Sequence, residues 1–248
     1  IAVTFSEAVF NTNGGSGALE VSDFALSISG GVATVNATPS SISISGNVYT
    51  LGLNLSGTPN GAETLTVVPS GATAIYDASG SAASTTQSNN TISLNDQAAP
   101  TVTGTTVANN NSTIAVTFNQ AVFDTNGGSG ALEVSDFALS ISGGVATVNA
   151  TPSSISISGN VYTLGLNLSG TPNGAETLTV VPSGATAIYD AAGNAASTTQ
   201  SNNTVSLVND FVSTWAVSSG TFTLPLRDYA NITIDWGDGG DTSTHTNA

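Results

Sequence analysis

Apolar and polar residues alternate along most of this chain. In YTLGLNL, residues 49–55, Tyr49, Leu51, Leu53 and Leu55 share one face while Thr50, Gly52 and Asn54 share the other. A period of two is what a strand shows when one side meets a core. The opening IAVTF places Ile1, Val3 and Phe5 together, FALSI does the same with Phe24, Leu26 and Ile28, and TLTVV offers Leu65 and Val67. Turn-forming stretches such as SGG, SGN, TPNG and DAAGN separate these runs at short intervals. No apolar stripe of helical period has useful length. About seven short alternating strands per hundred residues is the pattern of an immunoglobulin-like β-sandwich, so the expected fold is all-β.

The same text is written twice. Residues 1–94 recur as residues 114–207, and only six positions differ: Ser6/Asn119, Glu7/Gln120, Asn11/Asp124, Ser79/Ala192, Ser81/Asn194 and Ile92/Val205. The period is too long for a solenoid unit, which needs its neighbour to complete a core, and has the size of an independent domain. Two tandem sandwiches are therefore expected, at 1–97 and 98–210, each adding roughly 35–45 Å if strands of seven or eight residues set its length.

The second copy is preceded by APTVTGTTVANNNST, residues 99–113, which reads as an opening strand and a turn. Nothing equivalent precedes Ile1, so the first sandwich is expected to lack its A strand and to show an open edge. That strand would come from chain upstream of Ile1 or from another chain. IAVTF has neither an initiator Met nor a basic leader, as expected of a window in a longer chain. Residues 211–248 match neither copy and hold both tryptophans, the one arginine (Arg227) and the one histidine (His245). They read as strands near 212–215, 222–226 and 232–236, the start of a third β domain and too few strands for a sandwich of their own.

Composition narrows the function. There is no cysteine, so disulfides and thiolate metal sites are excluded. The absence of lysine also removes any lysine–asparagine isopeptide cross-link. Sixteen acidic residues against one basic residue give a net charge of −15. Such a surface argues against nucleic acid and against an anionic lipid surface, and no apolar run is long enough to span a membrane. An acidic, self-repelling surface suits a secreted protein in a salty or calcium-containing setting.

The chemical candidates are few. DTNGGSGALEVSD, residues 124–136, offers Asp124, Asn126 and Asp136 as oxygen ligands for calcium. An EF-hand is excluded, because its sixth and twelfth loop positions are Ser129 and Ser135. The competing reading is a glycine-rich connection in which Asp23 and Asp136 cap a turn. YDAAGN, residues 189–194, reads as a tight turn with Asp190 accepting backbone N–H groups. Asn95 and Asp96, in the linker before Pro100, are the second candidate calcium site, one that would stiffen a domain junction; the alternative is an ordinary short linker. Asp235, Asp238 and Asp241 read as a hairpin turn in preference to a cation site, and His245 as a solvated residue near the end. No histidine occurs in the repeats, so no Ser-His-Asp set can form there. Glu63 and Glu176 lie beside turns, once per copy, and two identical tandem active sites would be odd, so no catalytic residue is assigned. Sugar binding usually needs exposed aromatics, whereas Tyr49 and Phe24 fall in the inward register.

GSGALEVSDFALSISGGVATV, YTLGLNLSGTPNGAETLTVVP and AIYDAAGNAAS resemble the bacterial Ig-like repeats of very large secreted surface proteins, as does the ND…APTV linker at 95–102. The phrase NITIDWGDG, residues 231–239, resembles the opening strands of BspA-like and, more distantly, PKD-type domains. The resemblance implies an extracellular or bacterial cell-surface location and a long multi-domain chain. It implies roles in adhesion, contact or filaments, and no catalysis. The expected function is a structural segment of a surface filament or stalk. It would associate with itself or with neighbouring domains of its own chain. The alternatives are a glycan-binding adhesin module and an accessory domain of a secreted enzyme.

Overall fold

The computed structural model describes residues 1–209, 231–234 and 243–246, the last two stretches by their backbone. It is all-β and sandwich-like, and among the described residues every strand pair is antiparallel. The chain divides into two compact units, Ile1–Asp210 and Phe211–Ala248. Among the described residues no helix is long and apolar enough to cross a membrane.

The first copy contains β1 (Ala2–Thr4), β2 (Val9–Phe10), β3 (Phe24–Ser29), β4 (Thr34–Val35), β5 (Ile42–Ser45), β6 (Val48–Leu51), β7 (Leu55–Ser56), β8 (Thr64–Pro69), β9 (Tyr76–Asp77) and β10 (Thr91–Ser93). One sheet has the order β1-β6-β5 and another β10-β8-β3, with short ribbons β2-β9 and β4-β7 beside them. The alternation in the sequence becomes alternation in burial: along β8, Leu65, Val67 and Pro69 are buried while Thr64, Thr66 and Val68 are half-buried. Phe24, Leu26, Tyr49, Leu51, Leu65 and Val67 meet in one core. Burying one such side chain contributes about 1.5–3 kcal/mol.

The second copy contains β11 (Val102–Val107), β12 (Thr113–Phe118), β13 (Phe137–Ser142), β14 (Thr147–Val148), β15 (Ile155–Ser158), β16 (Val161–Gly165), β17 (Leu168–Ser169), β18 (Thr177–Pro182) and β19 (Thr204–Ser206). Its sheets are β11-β12-β16-β15 and β13-β18-β19, around a separate core. The opening strand and turn expected at 99–113 are thus β11 and the bend that follows it. β11 pairs with β12 from Val102↔Phe118 to Val107↔Ile114, with one irregularity between Val102 and Gly104.

One expectation needs correction. YTLGLNL is not one strand in the first copy, because β6 ends at Leu51. Gly52 turns aside to exchange hydrogen bonds with Ser40 and Ser41 (Ser40 N–H to Gly52 C=O 3.0 Å; Gly52 N–H to Ser41 C=O 2.9 Å). Leu55 then pairs with Val35 in a different ribbon. A Cβ at residue 52 would meet the Ser40 and Ser41 hydroxyls, which would have to rotate away to admit it. The glycine-rich connection before β3 ends, as the capping reading of Asp23 and Asp136 has it, in a short 3₁₀ turn, Val21–Asp23, repeated as Val134–Asp136.

In the tail, β20 (Asn231–Ile234) pairs with β21 (Ser243–Thr246), and Ile232 stands opposite His245. His245 therefore belongs to a strand. The expected strands at 212–215 and 222–226, and the carboxylates Asp235, Asp238 and Asp241, lie outside the described residues.

Candidate functional sites: a glutamate clasp, a polar junction and an open edge

Glu63 and Glu176 are fully buried, and residues 1–209 hold no Lys, Arg or His to face them. Glu63 Oε1 accepts the N–H groups of Val32 (2.8 Å) and Ala33 (3.0 Å), and Oε2 accepts that of Asn60 (2.9 Å). Glu176 repeats this with Val145 (2.8 Å), Ala146 (3.1 Å) and Asn173 (2.9 Å) and adds Gly174 (3.0 Å). The N–H of Ala33 acts most strongly on Glu63, outweighs the upward push of burial, and with Val32 and Asn60 lowers its pKa to about 2. For Glu176 burial is the largest influence and pushes upward, yet the N–H donors together prevail and the pKa again falls to about 2. The clasp ties the turn before β4 to the turn before β8. It also needs Gly31, whose φ is +59° and where a Cβ would strike the Glu63 carboxylate. These carboxylates hold loops, their oxygens taken up by backbone N–H donors.

The second copy receives the linker at a polar junction centred on Asp190. This residue is 2% exposed, and its carboxylate accepts from the N–H groups of Ala192 (3.0 Å) and Asn194 (2.8 Å). The side-chain amides of Gln120 and Asn194, both at 2.9 Å, complete its shell. Asn194 Nδ2 also donates to the carbonyl of Asp96 in the linker (3.3 Å). Asn119 exchanges two hydrogen bonds with Thr101: its Oδ1 accepts at 2.7 Å and its N–H donates at 3.0 Å. In the first copy Ser79 and Ser81 satisfy Asp77 (Ser79 Oγ 2.8 Å, Ser81 N–H 2.8 Å), and Glu7 and Ser6 are exposed. Four of the six differences between the copies therefore rewire one carboxylate and its surroundings for docking of the linker.

The candidate metal ligands are now placed. Asp96 Oδ1 accepts the N–H of Ala98 (2.9 Å), and Asn95 is exposed. Asp136 Oδ2 accepts the N–H of Glu133 (2.7 Å), closing the 3₁₀ turn as a cap. Asp124 presses its Oδ1 inward beside Gly130, buried and without a hydrogen-bond partner, and Asn11 does the same beside Gly17. Asn126 packs over Gly193, so the 124–130 loop and the Asp96 linker both meet the 190–194 turn, while Asp136 serves its own turn. Among the described residues no three His, Cys, Asp or Glu side chains gather as a metal-ion set.

The fifth difference, Ile92/Val205, lies at the open edge. In the second copy Ile114 and Val116 are 0% exposed and Phe118 is 2%, because β11 covers them. In the first copy Ile1, Val3 and Phe5 are half-buried, and they line a groove of about 540 Å³ with Phe24, Val67 and Ile92. Ile92 is 52% exposed. No protein-family description, curated protein or solved structure matches this chain.

Proposed function

We propose that this chain is a structural segment of a large, repetitive extracellular protein of a bacterial surface, where it extends a filament or stalk used in contact. One observation carries the reading. The copies are identical through residues 12–78 and 125–191, and five of their six differences lie where the linker and β11 dock. Selection for a ligand or a reaction would preserve a distinctive site; selection for repeated, joined modules preserves the module and adapts its joints.

Other features agree. The buried glutamates pin turns with backbone donors. Phe24 and Tyr49, rings that could stack on a sugar if exposed, are buried at 2% and 5%. The net charge of −15 opposes aggregation of identical neighbours. At the junction, N–H groups of Asn194 and Gln120 already face Asp190 and the Asp96 carbonyl, so direct hydrogen bonds take the stiffening role considered for calcium.

The test is electron microscopy of native material at the cell surface. Regular fibres or beaded strands are the expected result. Compact particles with a separable enzymatic or lectin activity that depends on residues 1–209 would overturn the reading.

A further inference from the structure

Asn-Gly occurs four times in the chain, at Asn13-Gly14, Asn60-Gly61, Asn126-Gly127 and Asn173-Gly174. Glycine offers the asparagine before it an unshielded backbone nitrogen, and the fold treats the four pairs in two ways. Asn60 and Asn173 are held beside the glutamate clasps. Asn60 donates its N–H to Glu63 Oε2 (2.9 Å) and accepts the N–H of Ala62 on its Oδ1 (3.2 Å). Asn173 does the same with Glu176 (2.9 Å) and Ala175 (3.0 Å), and the N–H of Gly174 also donates to Glu176 (3.0 Å). Asp96 packs against Gly61, and Asn209 against Gly174. Asn13 and Asn126 instead stand in three-residue turns, closed by bridges between Thr12 and Ser16 and between Thr125 and Ser129. Both asparagines and the glycines after them are exposed. Gly14 and Gly127 have φ of +105° and +98°, and a Cβ on either would meet nothing within 4 Å. These turns are clamped at their ends and open at their tips.

We propose that Asn13-Gly14 and Asn126-Gly127 are sites of spontaneous covalent modification, at which asparagine becomes aspartate or isoaspartate without an enzyme. The Gly14 nitrogen, having lost its proton, attacks Asn13 Cγ; the new N–Cγ bond closes a five-membered succinimide as ammonia leaves. Water then opens the ring. Breaking the new N–Cγ bond gives aspartate, and breaking the bond from that nitrogen to the Asn13 main-chain carbonyl carbon gives isoaspartate. Gly127 attacks Asn126 in the same way. The pairs beside the clasps are held back on two counts. Their Oδ1 must first release the N–H of Ala62 or Ala175 before Cγ can turn toward the nitrogen. The carboxylate of Glu63 or Glu176, around which the turn wraps, also disfavours a second negative charge on the attacking nitrogen. Each conversion adds a negative charge beside a turn already held by a carboxylate: Asn13 packs over Gly80 in the turn of Asp77, and Asn126 over Gly193 in the turn of Asp190. The chemistry belongs to the turns themselves and does not depend on the structural role proposed above.

The 248-residue chain, folded, is incubated at mildly alkaline pH in water enriched in heavy oxygen, and each Asn-Gly peptide is followed by mass spectrometry. Asn11 against Asp124 tells the Asn13 peptide from the Asn126 peptide, while the peptides of Asn60 and Asn173 are identical and are read together. Heavy oxygen is expected to enter at Asn13 and Asn126 roughly tenfold or more faster than at Asn60 and Asn173, which must await local opening. In strong denaturant the four should converge, because the fold then no longer separates them. No entry at Asn13 and Asn126, entry as fast at Asn60 and Asn173 in the folded chain, or the same ranking in denaturant would overturn the proposal. A second chain, Asn13→Gln with Asn126→Gln, changes only two exposed side chains. It should lose the early acidic species that the parent chain forms on native isoelectric focusing, and undiminished early acidic species would overturn the proposal as well.

Discussion

Phe5 and Phe118 occupy the same place in the two copies, so replacing each with alanine isolates what β11 contributes. Their ring contacts are alike: Phe5 meets Tyr49 edge-on at 5.4 Å and 88°, and Phe118 meets Tyr162 at 5.7 Å and 89°. Their cover differs. Phe118 is 2% exposed and stands opposite the buried Val102, whereas Phe5 is half-buried at the groove. Truncating an enclosed phenylalanine costs about 3–5 kcal/mol, so Phe118→Ala should remove about 4 kcal/mol from the second copy. With part of its surface already in water, Phe5→Ala should remove about 2 kcal/mol from the first. For a domain of this size 1 kcal/mol moves the melting temperature by about 4–8 °C. Scanning calorimetry of residues 1–248 alone, a piece in which no strand covers β1, should therefore show the first copy melting before the second. Phe118→Ala should shift the later transition about twice as far as Phe5→Ala shifts the earlier one. Equal shifts would refute the argument, because they would mean that β11 shields nothing that the groove leaves open.

The glutamate clasps give a pH prediction. Their folded pKa is lowered to about 2 from an ordinary 4.5, so their stabilisation is complete above pH 4.5 and is lost as pH falls toward 2. Acid titration followed by circular dichroism should show the unfolding arm in that window, and Glu63→Gln with Glu176→Gln should be less stable at pH 7 and flatter below 4.5. At the junction, Gln120→Glu would set a second carboxylate 2.9 Å from that of Asp190 and leave a buried acceptor unmatched, for a loss of about 1–3 kcal/mol. The loss should be recovered in part on mild acidification, and the reverse change Glu7→Gln, on an exposed residue, should leave the first transition in place. Because amide N–H groups hold the junction, adding a chelator to the purified chain should leave both melting transitions unmoved; a fall in either would assign an ion to it.

Much of the fold is legible in the sequence because a strand writes its burial locally. Phe24, Leu26, Leu65 and Val67 announce their face by spacing alone, and TVTGTTV ahead of the second copy announces β11. The path at Gly52 is harder to read, since the continuing alternation of Leu53 and Leu55 conceals a change of partner made by the backbone. The clasp is harder still. Glu63 draws two of its donors from Val32 and Ala33, thirty-one and thirty residues earlier, and no local pattern records that pairing. A carboxylate following TPNGA, with no basic residue in the repeat to meet it, was the available signal. The six differences were visible as letters, but that Gln120, Ala192 and Asn194 converge on Asp190 is a fact of three dimensions.

The junction has a consequence for how longer arrays are ordered. The turns clasped by Glu63 and Glu176 are written identically in both copies, while the pole that receives the incoming chain carries its own residues each time: serines and a glutamate in one, amides in the other. Such a module has a generic body and an individual socket. Duplicating it lengthens the array without redesign, and a few substitutions at the socket decide which neighbour may precede it. The order of modules would then be encoded by small polar changes at one end of each, and exchanging Ser6, Glu7, Ser79 and Ser81 for their counterparts would re-address a module while leaving its core as it was.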